Sequence, residues 1–404
     1  MPINQYKILS PVNCKELILL DSTILPAFSE VVMNFIEAFS SRILKDIYLK
    51  QFPEIIALAF WMRKANIIKL KNIFDNNREP YLSLGRGIVF HITPSNVDTI
   101  FVYSWFLSML AGNINIIRIS SKLSNQMESL INIINEIITG NEFIDIKNRY
   151  IIIQYEHNDE ITGYFSSLCN VRVIWGGDET ISKIRSIPVE PTAKEITFAD
   201  KFSFSIIEAN RFLECDNKDM VTTHFYNDSF TFAQNACSSP RLIFWSGDEI
   251  AVNEARNLFW SMLEQKVIKG KQGMPVAMFV DKLVAALSLS IISKHSIIER
   301  GVTNMITRIF FNNLDDIKRN IHCGGGLFYE ARVNHISEIS EFITRKDQTI
   351  SVFGFDREEL IDFVIKGNLK GIDRIVPVGK SLDFSNIWDG YDLLQEFSRK
   401  IEIL

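Results

Sequence analysis

Between Arg86 and Ile187 the chain alternates short, continuously apolar runs with helix-like stretches, and no other feature limits the possible folds as much. The runs GIVFHIT, NINIIRI, RYIIIQYE and VRVIWGG lack the polar alternation of a half-exposed strand. Strands that bury both faces belong to parallel sheets covered by helices on either side. The intervening VDTIFVYSWFLSMLAG, SNQMESLINIINEII and DEITGYFSSLC, and the DETISKIRSI that follows, supply such helices. A doubly wound, dinucleotide-binding domain over residues 81–204 is the expectation.

The flanking segments complete the organisation. AFSEVVMNFIEAFSSRIL and PEIIALAFWMRKANIIKLKNIF carry helical spacing, Pro53 suits a first helical position, and DNNREP breaks the pattern. Residues 1–80 therefore read as a helical N-terminal segment packed on the cofactor domain. A second mixed α/β domain is expected over 205–371, with strands at RLIFWSG, GLFYEAR and TISVFGF. Residues 372–404 are expected to return to the cofactor domain or to a subunit contact. The fold class is thus α/β, with two doubly wound domains behind a helical prelude.

Several functions are disfavoured. The formal charge is −5 and no basic block occurs, so a nucleic-acid partner is not expected. The longest apolar run, Val97 to Gly112, contains Thr99, Ser104 and Ser108 and falls short of the ~20 residues a bilayer span needs. The start MPINQYKILSP lacks a basic stretch followed by an apolar core, which points to the cytoplasm. The six histidines show no HxxxH or HExxH spacing, so no metal is expected.

The five cysteines, Cys14, Cys169, Cys215, Cys237 and Cys323, are scattered and form no CxxC pair. Reduced, buried thiols are the ordinary state of such residues. Cys237 differs in its setting, FAQNACSSPR, where Ala236, Ser238 and Ser239 leave access to a thiolate attacking a carbonyl. Asn96, in FHITPSNV, stands at a strand end where a side-chain amide serves as an oxyanion donor or merely as a cap or turn residue. Gly176 and Gly177 form a strand-to-helix turn open to a cofactor phosphate, although Asp178 and Glu179 beside it oppose a pyrophosphate grip. Gly324 to Gly326 read as a chain turn.

Taken in order, FHITPSNV, GNINIIRISSK, WGGDETI, FADKFSFSII, FAQNACSSPR and DQTISVFGF resemble the LuxC-type acyl-CoA reductases, the reductase component of bacterial fatty-acid reductase. These belong to the aldehyde-dehydrogenase superfamily, and the resemblance spans roughly residues 86–390. It implies an aldehyde-dehydrogenase-like fold with Cys237 as the acyl-carrying nucleophile. Asn96 and the Cys237 backbone N–H then form the oxyanion hole. It further implies cofactor contacts from Thr93, Pro94, Ser95, Arg118, Ser120, Ser121, Gly176, Gly177 and Gln348.

NADPH is the implied cofactor, with Arg118 standing where the superfamily usually has a lysine. The hydrolytic members carry a glutamate in Glu-Leu-Gly-Gly-Lys, and the matching stretch here is Thr197, Phe198, Ala199, Asp200, Lys201. The water-activating base is thus missing, unless Glu195 or Asp200 replaces it. The resemblance also implies a long-chain acyl donor, as acyl-CoA or on an acyl-carrier or acyl-protein synthetase, and a homo-oligomer. An aldehyde dehydrogenase running oxidatively and a non-catalytic scaffold subunit are the alternatives.

Overall fold

The computed structural model describes residues 6–12, 23–76, 81–94, 97–270, 276–293 and 296–403. The chain forms two compact units, one of residues 1–200 and 384–404, the other of 201–383. The sequence expectation placed the corresponding limits at 204/205 and 371/372.

The first unit is built on a six-stranded sheet. Its strands are β1 (Lys7–Ser10), β2 (Ile88–Ile92), β3 (Ile114–Ile119), β4 (Tyr150–Gln154), β5 (Val171–Trp175) and β6 (Lys194–Phe198), in the spatial order β1-β4-β3-β2-β5-β6. All pairs are parallel except β1 with β4. The chain starts at the centre with β2, winds outward through β3 and β4, then reverses through β5 and β6. The topological switch point lies between β2 and β5, so the turns after these two strands diverge at the carboxyl edge.

The apolar run that stops short of a membrane span is a core helix. Helices α1 (Glu30–Lys45), α2 (Pro53–Trp61) and α3 (Lys64–Asn76) precede the parallel strands, and α4 (Ile100–Leu110) follows β2. Every residue of α4 is buried, the state expected of a helix that is apolar all round. Trp105 stacks on Tyr150 at 4.5 Å, while Phe35 of α1 meets Trp105 and Phe106. Among the described residues no helix is long and apolar enough to cross a membrane.

The N-terminal segment is not wholly helical. Lys7–Ser10 is an edge strand, because Ile8 packs on the sheet core and the Ser10 hydroxyl lies 2.6 Å from the Tyr150 hydroxyl. From Phe384 the chain belongs to the first unit, where Ser398–Glu402 pairs antiparallel with Tyr81–Gly85.

The second unit is built on a seven-stranded sheet. Its strands are β7 (Phe202–Glu208), β8 (Leu242–Ser246), β9 (Ser296–Arg300), β10 (Thr307–Phe311), β11 (Leu327–Val333), β12 (Asp347–Phe353) and β13 (Arg374–Pro377), in the order β9-β10-β11-β8-β7-β12-β13. Only β9 runs antiparallel. One face is covered by a cluster around Phe204, Phe244 and Tyr329, the other by one around Phe225, Trp245 and Phe259. Opposite-pointing neighbours such as Phe244 and Trp245 feed the two clusters, as period-2 strands require.

Candidate active site

Helix α8 (Lys218–Phe230) delivers the chain to the Cys237 loop, which then enters β8 at the amino edge of the second sheet. Two side-chain-bearing residues there, Ala233 and Gln234, adopt left-handed φ values of 48° and 61°. Such backbone costs about 1–2 kcal/mol per residue and persists only where surroundings hold it. Gln234 supplies that hold. Its side chain is fully buried, donates Nε2–H to the Pro240 carbonyl at 3.0 Å and accepts the Gly326 N–H at 2.8 Å. It thereby spans the loop on both sides of Cys237.

The Gly324–Gly326 turn completes the buttress. All three glycines are left-handed, Gly325 donates its N–H to the Ala233 carbonyl at 2.9 Å, and a Cβ on Gly326 would lie 2.0 Å from the Met305 carbonyl oxygen. On the other side, the Ser203 hydroxyl donates to the Cys237 carbonyl at 2.6 Å and accepts the Thr349 N–H at 3.2 Å. Ser239 donates to the Asp228 carbonyl at 2.8 Å. The Asp228 carboxyl, also buried, accepts N–H bonds from Gly379 and Ser381. Burial pushes its pKa up to about 6.

Cys237 is a half-buried thiol, outside any disulfide, at the centre of this scaffold. Burial pushes the thiol of Cys169 up to about 12 and raises that of Cys323, so neither favours the reactive thiolate. Cys14 lies outside the described residues.

The proposed cofactor contacts in the first unit gather at the carboxyl edge of its sheet. Thr93 is buried at the end of β2, and both its N–H and its hydroxyl donate to the Arg118 carbonyl, at 3.1 and 3.0 Å. Pro94 follows, half-buried, and Ser95 and Asn96 lie outside the described residues. The half-buried Arg118 guanidinium lies over the Tyr155 ring at 5.2 Å and donates to the Tyr155 carbonyl at 3.1 Å. Ser120 and Ser121 continue from β3, the second exposed to solvent, with both carbonyls accepting from Gln154.

Gly176 and Gly177 follow β5 on the other side of the switch point. Gly176 donates its N–H to the Phe198 carbonyl at 3.1 Å, and Gly177 precedes helix α7 (Asp178–Arg185), counted after α5 (Asn125–Ile138) and α6 (Asp159–Leu168). A Cβ on Gly177 would come within 3.1 Å of the Asp200 carboxylate, which also accepts the Asp178 N–H at 3.4 Å. Asp200, itself exposed, thus meets the start of α7 through one carboxylate oxygen.

Glu195 is paired more closely. Its carboxylate accepts the Arg172 Nε–H at 2.8 Å, forms a second bond to the same guanidinium, and pairs with Arg185 at 2.9 Å. Thr197, half-buried near the end of β6, stands between these two carboxylates in sequence, with Phe198 beside it stacked on Trp175 at 3.7 Å.

The family model for acyl-CoA reductase (LuxC) matches residues 70–400. The chain belongs to this family. A search of curated protein sequences finds no match. Among solved structures it resembles an NAD-dependent aldehyde dehydrogenase from Sinorhizobium meliloti, at 11% identity and a TM-score of 0.67, over 94% of this chain and 82% of that one. It also resembles lactaldehyde dehydrogenase from Escherichia coli, at 11% identity and TM-score 0.63, over 93% and 86% of the two chains. A third likeness is 3,6-anhydro-L-galactose dehydrogenase, solved with a nicotinamide cofactor, at 12% identity and TM-score 0.64, over 92% and 87%. These likenesses establish the aldehyde-dehydrogenase fold, and family membership makes the protein an oxidoreductase of fatty acyl groups.

Within that fold Gln348, the remaining proposed cofactor contact, is buried on β12 beside Thr349 in the same unit as Cys237. Gln234, Ser203 and Asp228 were not singled out from the sequence. Gln234 sits three residues from the nucleophile in the quoted motif, so its position was visible; its role depends on a glycine turn far along the chain.

Proposed function

We propose that this LuxC-family chain reduces a long-chain fatty acyl thioester to the aldehyde, using NADPH and an acyl group carried on Cys237. The observation that carries this reading is a half-exposed thiol in a loop locked by Gln234 and Ser203. Cys237 Sγ attacks the thioester carbonyl, the acyl C–S bond breaks, and the CoA or carrier thiol leaves with a proton. The Cys237 backbone N–H and Asn96 stabilise the oxyanion.

Bound NADPH supplies a hydride to the acyl carbon. The resulting thiohemiacetal oxyanion on Cys237 collapses, breaking its C–S bond, releasing aldehyde and returning the thiolate. Arg118 suits the 2′-phosphate of NADPH, because its guanidinium is held over the Tyr155 ring and bonded to the Tyr155 carbonyl next to the carboxyl edge of the sheet. Thr93, Pro94, Ser95, Ser120, Gly176, Gly177 and Gln348 are the further cofactor contacts. The donor is acyl-CoA or an acyl group on a carrier or acyl-protein synthetase, and the setting is cytoplasmic.

With a threonine at 197 and Glu195 paired to two arginines, the chain is poorly equipped to activate water against the acyl-enzyme. This favours reduction over the oxidative, acid-forming reaction. Incubation with radiolabelled long-chain acyl-CoA should give hydroxylamine-sensitive label that Cys237→Ala abolishes. Equal labelling of that variant would refute the nucleophile assignment, and equal turnover with NADH and NADPH would remove the role given to Arg118.

A further inference from the structure

Helix α10 (Val276–Ile292), which follows α9 (Glu249–Lys269), has two apolar faces where a monomer needs one. Its inner face buries Ala285, Ala286 and Leu289 in the sheet core, and the buried Lys282 ammonium bonds the carbonyls of Asn304, Met305 and Gly325 at 2.6, 3.0 and 2.9 Å. The helix is therefore fixed in place. Its outer face carries Val276, Val280, Leu283, Val284, Leu287 and Ile291, each 45–81% exposed. Asp281 is the one charged residue among the exposed positions of this helix.

We infer that this face binds the same face of a second copy of the chain, across a two-fold axis near Leu283 and Val284. The spacing of the six residues reads identically from either end. An antiparallel copy thus sets Val276 against Ile291, Val280 against Leu287 and Leu283 against Val284, the self-complementarity that an isologous contact requires. The six side chains expose on the order of 600 Å² per chain, near the ~800 Å² per partner of a standard interface and at the upper limit for an uncovered monomer patch. A bilayer surface is the poorer occupant, since the exposed positions of this helix offer no Lys or Arg to lipid headgroups.

Sedimentation velocity of the full chain at micromolar concentration, with and without Leu283→Glu/Leu287→Glu, tests the inference. The substitutions should halve the sedimenting mass and leave thermal unfolding cooperative. A second measurement does not depend on that variant. Chains carrying Val276→Cys, co-expressed with chains carrying Ile291→Cys, should be joined by a short bismaleimide above the parent's level. Neither variant alone should be, because like positions then lie about 22 Å apart along the axis.

A monomeric parent overturns the inference. So does an assembly that survives the glutamates, cross-linking that ignores the pairing, or a parent that stays monomeric and floats with phosphatidylcholine vesicles.

Discussion

Replacing Gln234 with leucine keeps nearly the same volume and removes both hydrogen bonds that span the Cys237 loop. The Gly326 N–H and the Pro240 carbonyl then lose their partner in a region where Gln234, Gly326 and Pro240 are all buried. Each orphaned group costs about 1–3 kcal/mol, and local relaxation recovers part of it, so a net loss of about 3 kcal/mol is expected. For a unit of this size that corresponds to a fall in Tm of ~6–12 °C by differential scanning fluorimetry. The strained backbone at Ala233 and Gln234 relaxes at the same time and moves the thiol. A displacement near 1 Å lowers kcat about 100-fold.

The control is Gln234→Glu, which keeps the acceptor for Gly326 but faces the Pro240 carbonyl with a carboxylate oxygen. It should resemble the leucine variant at neutral pH and recover toward the parent as the new carboxyl protonates. A leucine variant within about 1 °C in Tm and about twofold in acyl-CoA-dependent NADPH oxidation would show that the loop does not depend on this amide.

Other consequences follow from the carboxylates. Glu195→Gln leaves the buried Arg172 guanidinium without its counter-charge and should lower stability by about 3 kcal/mol, read by chemical denaturation. Acid release per folded enzyme should not change, whereas a large fall would make Glu195 the missing base. Thr197→Glu should raise hydrolysis of the acyl-enzyme by ~10²–10⁴-fold, measured as free fatty acid against aldehyde; an unchanged product ratio would place the base position elsewhere. Asp228 titrates near pH 6 when folded, above the 3.8 of a free carboxyl, so its stabilising share is full below pH 4 and is lost as pH rises through 6. The loss is on the order of 3 kcal/mol. The Tm difference between Asp228→Asn and the parent should move several degrees in the variant's favour from pH 4.5 to 7.5, and a flat difference contradicts the buried, raised carboxyl.

What was legible in the sequence depended on distance along the chain. The four apolar runs from Ile88 to Trp175 declared their strands because each buries both faces. Lys194–Phe198 did not, since KEITF carries Lys194 and Glu195, which face ion pairs with Glu396 and Arg172 rather than a helix. Lys7–Ser10 was hidden for a related reason. A four-residue edge strand acquires its meaning from Tyr150 and Asn135, more than a hundred residues away. The cysteine motif was readable from small neighbours, but the long-range bonds of Gln234 and Ser203 leave no periodic trace.

The scaffold around Cys237 is built almost entirely from neutral groups: a glutamine amide, serine hydroxyls and glycine N–H donors. Neutral hydrogen bonds neither titrate between pH 5 and 9 nor weaken with salt as exposed ion pairs do. The charged groups have other partners, Glu195 of β6 pairing with Arg172 and Arg185 and Asp228 holding Gly379 and Ser381. Such a division suits an acyl-cysteine that must wait for hydride. On the proposed reading, the thiol keeps its place while the cofactor binds. On that reading, the pairing of Glu195 with two arginines adds to the threonine that replaces the glutamate in sparing the acyl group from hydrolysis.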